Sequence, residues 1–158
     1  MSMVKKLLSA ETCRKCKVCC GFTREDIWEI PLIYTENREA VENKTGARLI
    51  PRGSELVFDM SFDGELSYCP ALTESGCSLG EHKPFDCAVW PFRVNSLGKT
   101  LIITVSPVCE SVFSLPLKSL CDFVRADGFS EKLFCEAHKH PDIVKPYIGG
   151  YPILAVEE

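Results

Sequence analysis

Four cysteines fall within eight residues near the start of the chain, in the run Cys13-Arg14-Lys15-Cys16-Lys17-Val18-Cys19-Cys20. Cysteine packs well as a small core residue, but neither a buried helix nor a strand calls for it at i, i+3, i+6 and i+7. Two consecutive C-x-x-C steps carry three sulfurs round one point when the backbone winds as a helical turn or tight loop. That geometry suits a metal ion or an iron–sulfur cluster. Cys69, Cys77, Cys87 and Cys109 follow at wider spacings. We read these eight as one constellation, gathered by the fold.

Eight thiolates supply two four-cysteine sites, or one such site with thiols to spare. Cys19 and Cys20 are adjacent, so their side chains are expected to diverge and face different partners. Structural zinc commonly uses paired C-x-x-C knuckles, whereas here one triple is followed by single cysteines. Three local ligands and one remote one make the ferredoxin-type pattern for a [4Fe–4S] cluster, whose remote cysteine precedes proline, as Cys69 does. This places [4Fe–4S] ahead of Zn2+, although all-thiolate ligation serves both. Arg14, Lys15 and Lys17 read as solvated loop charge. A cation beside a thiolate also lowers its pKa and so helps keep a ligand ionised.

The remaining reactive side chains offer less. Cys121 and Cys135 fall on the apolar faces of helices expected in the tail and are assigned to the core. Among the three histidines, His82 lies closest to the later cysteines and is the best non-cysteine ligand, its ordinary role being that of a surface loop residue. His138 and His140 read as a helix C-terminus, where a cation complements the dipole. Asp26, Asp59, Asp63 and Asp86 show no pairing along the sequence. There is no Ser-His-Asp order, phosphate-cradling glycine loop or dinucleotide fingerprint, so no residue is assigned to catalysis.

The elements that must position the thiols belong to a soluble globular chain of 158 residues, 46% hydrophobic and 25% charged. That length buries a core without cysteine staples. A net charge of −4 argues against nucleic-acid binding, which needs a basic face. No apolar run reaches the roughly 18 residues of a membrane span, and residues 1–10 lack the apolar stretch of a signal peptide. A cytoplasmic location is expected, where thiols stay reduced and ten cysteines point to metal or redox chemistry rather than disulfides.

The pattern predicts a small α+β domain spanning 1–158: N-terminal helices, two β-hairpins and C-terminal helices, with loops converging on a cysteine-rich metal site. Residues 4–12 are expected to form a short helix. A second follows Thr23 as N-cap, with Ile27, Trp28 and Ile30 as its apolar face and Trp28 as a core anchor. A third runs from about Ile33 to Lys44 and stops near Gly46. The first hairpin is expected to turn at Asp63-Gly64 between 55–62 and 65–68. The second turns at 97–99 between 92–95 and 101–105. Helices are expected after Pro116 and from Ser130 as cap to Pro141, separated by Asp127-Gly128. The segment 147–156 reads as irregular or as a short edge strand.

The cysteine run, together with Cys69-Pro70-Ala71-Leu72, Gly76-Cys77-Ser78-Leu79, Lys83-Pro84-Phe85-Asp86-Cys87, Trp90-Pro91-Phe92 and Cys109, resembles the CxxCxxCC family of YkgJ-like cysteine-cluster proteins, zinc- or iron-chelating domains. The likeness covers residues 13–112, leaving 113–158 as a helical extension. It implies metal chelation by Cys13, Cys16, Cys19, Cys20, Cys69, Cys77, Cys87 and Cys109. Where that family carries arginines around the later cysteine, this chain has Lys83 and Ala88. A similar module occurs in longer flagellin lysine methylases, but no S-adenosylmethionine site is evident here. Three roles follow as expectations: an iron–sulfur protein with a redox or accessory function, a structural zinc module that binds a protein partner, or an accessory component of a methyl-transfer or redox enzyme.

Overall fold

The structure is a computed structural model and describes residues 3–158. Two compact units divide the chain, Met1–Ala88 and Val89–Glu158. Their boundary falls inside the 13–112 stretch that the sequence treats as one core. Both units mix helices with mainly antiparallel strand pairs, so the fold class is α+β.

In the first unit, α1 (Ala10–Cys16) starts where the Ser9 hydroxyl accepts the Thr12 N–H at 3.1 Å. This helix begins later than expected and carries Cys13 and Cys16 within it. A 3₁₀ turn, Val18–Cys20, leads into β1 (Gly21–Phe22). Thr23 caps the next turn as predicted, with Asp26 closing a capping box, but the segment Arg24–Glu29 is a kinked 3₁₀ helix. Tighter winding breaks the α-helical periodicity, so Ile30 is buried while Trp28 is 40% exposed. Trp28 is therefore no core anchor. α2 (Arg38–Thr45) stops at Gly46, whose left-handed φ of 67° ends the helix as the sequence predicts.

The first hairpin is not where the Asp63-Gly64 signal puts it. β2 (Leu49–Arg52) pairs with β3 (Glu55–Phe58) across Gly53-Ser54. β4 (Ser67–Tyr68) pairs back to β1 instead, in the register Gly21↔Tyr68 and Phe22↔Ser67. β5 (Leu72–Thr73) and β6 (Gly76–Cys77) make a minimal hairpin. α3 (Phe85–Val89) carries Cys87. Ile33, Val41, Leu49, Leu56, Phe58, Ala71 and Leu79 form the apolar core beneath these elements, and Cys69 packs against it. Each large side chain buried there contributes about 1.5–3 kcal/mol.

The second unit is built on β7 (Phe92–Leu97) and β8 (Thr100–Val105), a hairpin close to the predicted one. Three helices follow: α4 (Glu110–Phe113), α5 (Leu117–Arg125) and α6 (Phe129–Lys139). Gly128, in the left-handed region, takes the N-cap position expected of Ser130. β9 (Lys145–Pro146) lies parallel to β7, and β10 (Ile153–Val156) pairs antiparallel with β8, giving the order β10-β8-β7-β9. The tail thus ends in an edge strand, one of its two predicted forms. Phe92 stacks on Phe123 with ring centroids 5.4 Å apart and meets Phe129 edge-on at the same distance. Among the described residues, no helix is long and apolar enough to cross a membrane.

Candidate metal centre

All ten cysteines are thiols; among the described residues none is disulfide-bonded. The first unit gathers six of them from three segments. α1 presents Cys13 and ends when Lys17 takes a left-handed φ of 57°, its N–H donating to the Cys13 carbonyl at 3.1 Å. That reversal swings the 3₁₀ turn back, and the Cys19 thiol is within electrostatic reach of those of Cys20, Cys87 and Cys13. The Cys69 N–H donates to the Cys20 carbonyl at 2.7 Å and clamps the second segment to the first. The Leu72 N–H closes a turn onto the Cys69 carbonyl at 2.9 Å, and the Leu72↔Cys77 pairing folds Cys77 back beside Cys69. The Cys69 thiol is within electrostatic reach of Cys20 and Cys77. From the third segment, the Cys87 thiol is within electrostatic reach of Cys69, Cys20 and Cys19. α1 also lies against β6.

Electrostatics sort these thiols. The Cys19 thiol donates a hydrogen bond to the Cys20 sulfur; this raises the pKa of Cys19, and burial and the neighbouring thiols raise it further. The same bond lowers Cys20 to about 7, against the effect of burial, with the Lys83 ammonium helping. The adjacent side chains therefore meet rather than diverge. Burial is the main cause that raises Cys69 to about 11, while backbone amides of Ala71 and Leu72 bonded to its sulfur pull the other way. Burial and then the Asp86 carboxylate push Cys87 well up, and Lys83 opposes them. The charge of Lys83 acts on both Cys20 and Cys87. Asp86, unpaired along the sequence, accepts the Leu32 N–H at 3.2 Å and ties α3 to the preceding chain. Nothing in the linear order links residues 32 and 86, so that contact was invisible there.

Cys16 ends α1 and is exposed, as Cys77 is. Cys109 belongs to the second unit, where it precedes α4 and its carbonyl accepts the Phe113 N–H at 2.8 Å. His82 is a loop residue whose Nδ1 lies 3.4 Å from the Asn37 Oδ1 and whose Nε2 lies 3.6 Å from Glu81. Cys121 is half-buried and Cys135 exposed, so the assignment of Cys135 to the core is corrected: it sits on the solvent side of α6. Lys15 pairs with Glu11 at 2.8 Å on the exposed face of α1, as solvated charge does.

The donor set is all sulfur, the chemistry that zinc and iron–sulfur clusters require. As the side chains stand, however, no three Cys, His, Asp or Glu among the described residues are arranged to hold one metal ion. Comparisons with protein-family models, curated proteins and solved structures find no match to the chain.

Proposed function

We propose that the chain is a metal-binding cysteine-cluster protein, its centre built from the thiols of the first unit. The observation that carries this reading is a convergence without an apolar reason. Ser9–Gly21 and Asp59–Pro70 hold no buried residue, and their only ladder is the two-residue pairing of β1 with β4. Such a ladder is marginal alone, yet these segments bring sulfurs together. Metal binding supplies folding free energy to chains of this kind. The two amides bonded to the Cys69 sulfur disperse charge as the outer-shell donors of a ligating thiolate do.

Two loadings each have their own support. The Cys13, Cys16 and Cys19 spacing with Cys69-Pro70 favours an iron–sulfur cluster and a redox or accessory role. The all-sulfur donor set serves tetrahedral zinc as well, and with it a structural module for a protein partner. Anaerobic purification followed by metal and sulfide analysis decides. A brown protein absorbing near ~400 nm with iron and sulfide supports the first, and colourless protein with stoichiometric zinc supports the second. Protein that retains no metal, and takes up neither zinc nor reconstituted iron and sulfide, overturns the proposal. The resemblance to the CxxCxxCC family stands beside this reading as a proposal of the same kind.

A further inference from the structure

We infer that Gly21 and Tyr68 pin the strand register that holds Cys20 against Cys69: the Tyr68 ring lies across a residue that has no side chain, and only one pairing of β1 with β4 lets it do so. This rests on the metal-binding reading and deepens it, making both residues positioning residues for the thiols.

Cys20 and Cys69 meet through the β1–β4 ladder, which has two residue pairs, Gly21↔Tyr68 and Phe22↔Ser67. So short a ladder specifies its own register weakly. A slip of one residue removes the bond from the Cys69 N–H to the Cys20 carbonyl, 2.7 Å long in the native pairing. It also turns the side chains of β4 to the opposite face.

The contact that opposes the slip involves no sulfur. Because Cys69 bonds Cys20, the next pair along, Gly21 and Tyr68, is a non-hydrogen-bonded pair, where facing side chains come closest. Gly21 has φ −109° and ψ 137°, extended backbone that any residue adopts, so its conformation does not call for glycine. Its surroundings do. A Cβ built on Gly21 would lie 3.2 Å from Leu66 Cδ1 and 3.3 Å from Tyr68 Cε1. Leu66 and Tyr68, two residues apart on one face of the strand, occupy the room that glycine leaves. Both are about half exposed, so their seat on Gly21, not core burial, is what they contribute. An aromatic ring across a strand glycine fixes register and covers the bare backbone that makes glycine weak in a strand. A slipped pairing sets Tyr68 opposite Phe22 or Cys20, whose side chains fill that seat.

The test is the zinc affinity of the full-length, reduced protein, read by competition with a chromophoric chelator. It compares the parent chain, Tyr68→Phe and Tyr68→Ala, and repeats Tyr68→Ala in a Gly21→Ala chain. Tyr68→Phe should bind zinc as the parent does. Tyr68→Ala should bind about fivefold more weakly, the upper end of what a cross-strand pair supplies, because only chains in register are competent. In the Gly21→Ala chain the same Tyr68 substitution should cost less than about twofold, since the ring has no seat left to lose. NMR of the zinc-loaded parent and of Tyr68→Phe should show cross-peaks between the ring protons of residue 68 and the Gly21 α-protons. Equal affinity of Tyr68→Ala and parent, equal cost of Tyr68→Ala in both chains, or Tyr68→Phe as weak as Tyr68→Ala overturns the pin and leaves the metal-binding reading intact. Absence of the ring-to-glycine cross-peaks does the same. A parent chain that takes up no metal overturns both.

Discussion

The two units hold themselves together by different means. In Val89–Glu158 the main strands and helices bury apolar residues, Val94, Ile102, Ile103 and Val105 among them. Long paired strands carry α5 and α6, and Phe92, Phe123 and Phe129 interlock beneath them. In Met1–Ala88 a comparable core lies under α2, β2 and β3, but Ser9–Gly21 and Asp59–Pro70 hold no buried residue. α1 buries no residue. Three of the strands next to the thiols, β4, β5 and β6, are two residues long. On the reading proposed above, coordination takes the place of burial over Ser9–Gly21 and Asp59–Pro70, which carry Cys13, Cys16, Cys19, Cys20 and Cys69.

The largest effect that would break this contrast is metal withdrawal. With a chelator, amide exchange protection should be lost across α1, β1 and β4–β6 and kept in β7, β8 and α6. Uniform loss, or no loss, would mean that coordination does not hold the thiol segments. Next comes Leu133→Ala, at a side chain that is fully buried on α6. It should cost about 2–5 kcal/mol in denaturant unfolding and leave the metal content per chain unchanged; a fall in metal content would show that the two modes of stabilisation are not separate. The smallest effect belongs to Lys17→Gly. Relief of the left-handed φ of 57°, worth roughly 1–2 kcal/mol, is partly offset by glycine entropy. A net gain of about 0.5 kcal/mol is expected in the unfolding free energy of the metal-free protein. A loss instead would show that the Lys17 side chain does more than turn the chain.

How legible each region was follows from the same contrast. The β7–β8 hairpin was readable because Ile102, Ile103, Thr104 and Val105 form a β-branched run and Gly98 supplies the turn. The tail helices were readable because Leu120 and Val124, both buried, repeat at helical spacing and Gly128 interrupts them. Where burial organises the chain, periodicity records it. In the first unit the rules of periodicity misled. Pro51 masked β2, although it takes its place opposite Leu56. Asp63-Gly64 looked like a hairpin turn but lies in a connection that returns β4 to β1. Trp28 was misjudged because a 3₁₀ segment does not keep an α-helical face. The thiols themselves were identified from composition and spacing alone. Their grouping was not, because it depends on long-range backbone bonds such as Cys69 to Cys20 and on the meeting of Cys19 with Cys20.

Cys69 belongs to both worlds. Its residue packs on the cluster that includes Phe58 and Leu79, while its sulfur looks toward Cys20 and Cys77. On the metal-binding reading, Leu56 and Leu79, in the cluster on which Cys69 packs, should change chemical environment when ions arrive. Those methyls make an internal gauge, readable without any label on the sulfurs.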